Sequence, residues 1–157
     1  MAKARKIRSL TPEDHAAVAL QKIIQVRTQE VREYQNAVLR NASPEAIHDF
    51  RVAVRRLFSL LKVFGQYVPE NSYEEIRSEL KQLLDLFGNI REIDVFQEMV
   101  EKSSLVRKHH RGAFVRRLCH DKLSVRREST ESSLEKLRDL EKNGFWRRLE
   151  STFHGSR

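Results

Sequence analysis

Apolar side chains recur every three or four positions along most of this chain, the spacing of residues that share one face of an α-helix. In the first such stretch they fall at Ala16, Leu20, Ile23, Val31, Tyr34 and Val38. The preceding Thr11-Pro12-Glu13-Asp14 reads as a helix start: Thr11 can cap the first amides, Pro12 suits the first helical position, and the two acids favour the positive end of the dipole. Arg27 falls in the middle of the stripe, where the period asks for an apolar residue. Ser43-Pro44-Glu45 repeats the start signal for a second helix running to about Tyr67, with Ile47, Phe50, Val54, Leu57, Leu61 and Phe64 on its core face. Ser72 to Glu75 forms a capping box for a third, whose core face is Ile76, Leu80, Leu83, Leu84 and Phe87. Gly88 sits inside that third pattern and marks either a kink or a close approach by another backbone or a ligand. A long fourth helix follows Ser103-Ser104, holds Phe114, Leu118 and Val125 on one face, and ends at Asn143-Gly144.

These patterns predict an all-α fold, an antiparallel four-helix bundle of long helices. Residues 1–10 are expected to be a flexible basic tail, 11–142 the bundle, and 143–157 a short C-terminal helical segment carrying Trp146. Composition agrees, because 5 Gly and 3 Pro in 157 residues are too few for the turns of a sandwich or barrel. The single cysteine, Cys119, excludes an internal disulfide and a multi-cysteine zinc site, and is expected to fill a small space in the core. No apolar run has the length of a membrane span, so no membrane insertion and a cytoplasmic location are expected.

Charge narrows the function. The formal net charge is +8, which makes an anionic partner the default without choosing among nucleic acid, lipid and inorganic polyanion. On the second helix, His48, Arg51, Arg55 and Lys62 lie in one narrow arc beside the apolar face, with Phe58 in the remaining slot. Arginines four residues apart repel one another. Placed beside a buried face they need a compensating anion, either a carboxylate of the protein (Asp49, Glu92 and Asp94 are candidates) or a bound ligand. Eight Lys/Arg against one acid, Asp121, lie between Arg107 and Arg127, and Arg111 and Lys122 project toward the apolar arc there, as Arg27 does in the first helix.

The run His48-Asp-Phe-Arg51-Val52-Ala-Val-Arg55-Arg56-Leu57 resembles the signature of CHAD domains, and Phe87-Gly88-Asn-Ile-Arg91-Glu92-Ile-Asp94-Val95 resembles a second segment of that family, at a fitting distance. The resemblance implies half of a two-bundle domain, with basic residues lining a groove or pore that binds inorganic polyphosphate. Carried over position by position, the implied site is His48, Arg51, Arg55, Arg56 and Arg91, which Lys62 joins from the same stripe. Arg27, Arg111 and Lys122 are added as inward-pointing charges. Asp94 is expected to orient an arginine rather than touch the ligand. The chain departs from the family at Phe58, where a third arginine is usual, at Glu92, where aspartate is usual, and in carrying one copy of the motif, so that a homodimer would rebuild the two-bundle arrangement.

Polyphosphate has charge and no bases to read, which suits a track of guanidinium and ammonium donors, and His48 would donate when neutral and add charge when protonated. No cofactor or metal is expected, since no histidine pair on a helix converges with carboxylates. Catalysis is not expected, since the chain has no phosphate-cradling glycine loop and no paired carboxylates. The rivals are a basic helical protein that binds nucleic acid, at least non-specifically, and a scaffold or storage-granule-associated module.

Overall fold

The computed structural model describes residues 3–67, 70–103 and 112–153. Among these the chain is all-helical: α1 (Ala16–Arg40), α2 (Pro44–Phe64) continued by a 3₁₀ turn (Gly65–Tyr67), α3 (Glu70–Lys102), α4 (Gly112–Lys142) and α5 (Phe145–Thr152). Each of α1 to α4 packs on its chain neighbour, and α5 closes against both α1 and α4. Three residues, Asn41 to Ser43, connect α1 to α2 and turn one back along the other.

The apolar faces predicted for α2 and α3 meet in one core. On α1 the buried face runs instead through Leu20, Ile24, Thr28, Val31, Gln35 and Val38, which leaves Ile23 and Arg27 beside it and Ala16 exposed. From α2, Ile47, Phe50, Val54, Leu57 and Leu61 are buried, and from α3, Ile76, Leu80, Leu83 and Phe87. Phe50 meets Phe87 edge-on with ring centroids 4.9 Å apart. Ser43 caps α2 as its position suggests, its hydroxyl accepting from the Ala46 amide at 3.2 Å. Gly144 ends α4 with φ +67, a left-handed conformation that glycine adopts without Cβ strain, and α5 starts at once beyond it.

Two helix starts differ from expectation. α1 begins at Ala16, because Asp14 is used elsewhere: it accepts from the Thr11 amide at 2.8 Å and from the Lys22 ammonium at 2.7 Å, while Lys22 also donates to the Ser9 carbonyl. These bonds, Lys22 first, hold the Asp14 carboxyl below the usual carboxylate range. α3 is already helical at Glu70, so Ser72 lies within the first turn and does not cap it.

The first half of α4 also departs from its pattern. Between Val95 and Ser129 the sole buried residue among those described is Gly112. Phe114 is 72% exposed, Val125 is exposed, and Leu118 and Cys119 are half-buried, so the cysteine is not in the core. The periodicity identified an amphipathic helix correctly, but α3 is its main neighbour and no other described helix covers that apolar strip.

The α1–α4–α5 junction is polar at its centre. Buried Gln35 accepts from Trp146 Nε1 at 2.9 Å and donates to Glu141 at 3.0 Å, and Arg32 also meets Glu141 at 3.1 Å. Gln35→Leu strands the indole N–H without its acceptor. It should destabilise the fold by about 1–3 kcal/mol, measured by denaturant unfolding followed through Trp146 fluorescence.

Candidate anion-binding surface

α2 lies between α1 and α3, and its core face fixes where every other side chain must point. Arg51 is placed on the flank toward α3 and Arg56 on the flank toward α1, with His48, Arg55 and Lys62 on the outer arc between them. Arg55 and Lys62 are exposed and His48 is half-buried.

On the α3 flank the Arg51 guanidinium lies against the α3 backbone at Gly88, where an added Cβ would sit 3.4 Å from Arg51 Nη2. α3 is continuous through this residue, so of the two readings of the glycine the close approach is the one realised, and the visitor is a side chain. Arg51 Nε is buried and has no hydrogen-bond partner among the described residues. Desolvation first, then the charge of Arg55 with that of Arg91 also contributing, lowers the Arg51 pKa, against the opposite pull of Glu92 and Asp85. An anion placed here would offset both the desolvation and the like-charge repulsion. Arg91 stands nearby, 3.9 Å from Glu98, which Lys102 holds more closely at 2.6 Å. Arg91 and His48 line one cleft of ≈ 500 Å³, shared with Glu45, Asp49, Asp94 and Glu101.

On the α1 flank the arrangement is different. Glu30 is 2% exposed and bridges two helices, accepting from Arg27 Nη1 at 2.7 Å with one oxygen and from Arg56 Nη1 at 2.8 Å with the other. Arg27, Arg55 and Arg56 line a second cleft of ≈ 530 Å³ together with Val52, Leu60 and Val63. The inward-pointing charge at Arg27 is thus explained by an internal carboxylate that faces it.

Of the expected residues, the fold gathers His48, Arg51, Arg55, Arg56, Arg91 and Arg27 around α2. Lys62 continues the outer arc, its ammonium 5.2 Å above the Phe58 ring. Lys122 is exposed on α4 in the α3–α4 groove beside Asn89 and Glu92, and Arg111 lies outside the described residues. His48, Arg51, Arg55 and Lys62 make no ion pair or side-chain hydrogen bond among the described residues.

Asp94 does serve an arginine, but one on α4. Its Oδ1 meets Arg126 Nε at 2.5 Å, and Arg126 Nη2 donates to the Ala42 carbonyl at 3.1 Å, tying α3, α4 and the α1–α2 turn together. Asp94 Oδ2 is buried without a partner among the described residues. Sequence reasoning passed over Glu30 and Arg126. For Glu30 a local signal existed, since it stands three residues after the misplaced Arg27; for Arg126, 32 residues from Asp94, there was none. Among the described residues no group of three His, Cys, Asp or Glu side chains could hold a metal ion, and no helix is long and apolar enough to cross a membrane.

A family model described as CHAD domain matches residues 22–155, which is most of the chain and takes in α2 to α5 whole and all but the first six residues of α1. No curated protein and no solved structure matches it.

Substitutions at two positions check this geometry. Arg126→Met leaves Asp94, whose side chain is 1% exposed, buried without its counter-charge, and should cost about 3–5 kcal/mol in chemical denaturation. At Gly88 a methyl meets only ordinary van der Waals contact with Arg51, so Gly88→Ala should raise stability by up to about 1 kcal/mol, whereas Gly88→Leu should expel Arg51 and weaken anion binding.

Proposed function

The chain belongs to the CHAD family, and on that footing we propose that it binds inorganic polyphosphate, without turning it over, on the outer surface of α2. The family is associated with polyphosphate binding in general. The observation that carries the reading for this chain is Arg51: a guanidinium at the edge of the core with a buried Nε that no group among the described residues satisfies, beside Arg55 and Arg91. Such a group gains from a multivalent oxyanion, which brings both charge and several acceptors. His48, Arg55, Lys62 and Arg56 extend the donors along the helix, and phosphate oxygens along a flexible chain can follow them.

Binding without turnover accords with the state of the two buried acids beside this surface. Glu30 is committed to two arginines and Asp94 to one, so neither stands as a general base toward a bound phosphate. We read α1 to α4 as one antiparallel four-helix bundle carrying this surface in the cytoplasm, where stored polyphosphate would meet it. A second copy of the chain would supply an opposing wall, and the exposed Val95, Met99, Phe114 and Val125 of α3 and α4 are apolar surface that such pairing would cover. Polyphosphate is favoured over single-stranded nucleic acid because the aromatic ring on the track, Phe58, is half-buried and lies under Lys62, and so offers no stacking platform for bases.

The test is competition: labelled long-chain polyphosphate displaced by unlabelled polyphosphate, DNA or RNA at equal phosphate concentration and physiological salt. Displacement by polyphosphate alone is expected; equal displacement by all three would reduce the surface to a generic basic one. Arg51→Ala combined with Arg55→Ala should weaken binding by on the order of 100-fold or more with helicity retained by circular dichroism. Affinity should fall steeply as salt rises from about 50 to 200 mM.

A further inference from the structure

We infer that Glu30 is a positioning residue that makes the binding surface two-sided: it holds Arg27 and Arg56 as a second anchor on the α1 flank of α2, so that a polyanion crosses the back of α2 between this anchor and Arg51 with Arg91 on the α3 flank. The inference rests on the polyphosphate reading and adds to it the course of the ligand and a residue that never touches it.

A buried acid beneath a basic surface looks counterproductive, because it cancels charge that would attract the ligand. Geometry gives the reason for it. Arg27 and Arg56 belong to different helices, and without an acid between them their guanidinium groups would repel and turn separately into water. Glu30 spends one oxygen on each, at 2.7 and 2.8 Å, from a position 2% exposed. Charge-assisted bonds of this kind fix orientation as well as energy. Each arginine engages Glu30 through Nη1, and for Arg27 the Nη2 and Nε donors have no partner among the described residues. The trio keeps one net positive charge, and Arg55 adds another at the same cleft.

Arg55 connects the two flanks. It lines the cleft with Arg27 and Arg56, and its charge also bears on Arg51 one turn away. The α3-side anchor leans on α3 at Gly88 and the α1-side anchor leans on Glu30, so each is braced by a different neighbouring helix. A diphosphate engages one anchor, whereas a long chain passes over Arg55 and engages both. Chain-length dependence thus becomes a property of this chain's own geometry.

The test is calorimetric titration of wild type and Glu30→Gln with long-chain polyphosphate and with pyrophosphate, circular dichroism confirming the fold of each. Glutamine preserves size, yet its amide nitrogen cannot accept from the second arginine. Net charge rises by one, so a surface acting through its field alone would bind both ligands more tightly. Expected instead is a loss of about tenfold for the long chain, with pyrophosphate affinity unchanged or improved. Long-chain affinity equal to or above wild type in a folded Glu30→Gln protein overturns the inference. Should that variant not fold, Arg27→Met decides, since it leaves the Glu30–Arg56 pair in place. It should weaken the long chain selectively, and equal losses on both ligands would mean that only total charge matters. Wild type that fails to bind long-chain polyphosphate brings down the functional reading itself, a result distinct from either variant's failure.

Discussion

Every feature of the candidate site follows from one constraint: a helix wedged between two others carries arginines at both edges of its buried face. A guanidinium at the margin of a core has lost part of its water and does not give up its proton. It must find an acid within the protein, lean on exposed backbone, or take an anion from outside. The fold uses more than one of these routes, and which arginine takes which decides what is left for a ligand.

Arg56 and Arg27 take the internal route through Glu30, and Arg126 does the same with Asp94. Both acids are almost fully buried, and each links elements that are distant in the chain or on separate helices. Such pairs add little net stability over well-packed apolar groups, yet losing one partner is costly, which makes them effective at fixing how helices sit against each other. Arg51 takes another route: Gly88 leaves room on α3 for its guanidinium, but no described group satisfies its Nε. The helix gives up some propensity at this glycine, and what the position excludes is a side chain larger than a methyl, which would displace the guanidinium.

The contrast along α4 makes the same point from the apolar side. Its second half contributes Leu137 and Leu140 to the core, while its first half, equally amphipathic, leaves Phe114 and Val125 in solvent. A hydrophobic period states that a helix has a face; it does not state that a neighbour is present to cover it. The helix starts show a similar limit. Asp14 is a plausible N-terminal acid by position, and Lys22, eight residues later, draws it into a clasp that delays α1 to Ala16.

The helical class, the core faces of α2 and α3, the Ser43 cap, the Gly144 stop and the basic stripe on α2 can all be read along the chain, because each depends on residues within one or two turns of one another. The sequence also carries the family, through two short segments whose residues act on adjacent helices. Which charges on that stripe are already answered depends instead on how the helices pack. Glu30 lies 26 residues from Arg56, Asp94 lies 32 from Arg126, and Gly88 lies far along the chain from the arginine it accommodates. Whether a cation is neutralised or still open to an anion depends on the side chain that another helix brings within about 3 Å, and helical periodicity holds no information about that partner.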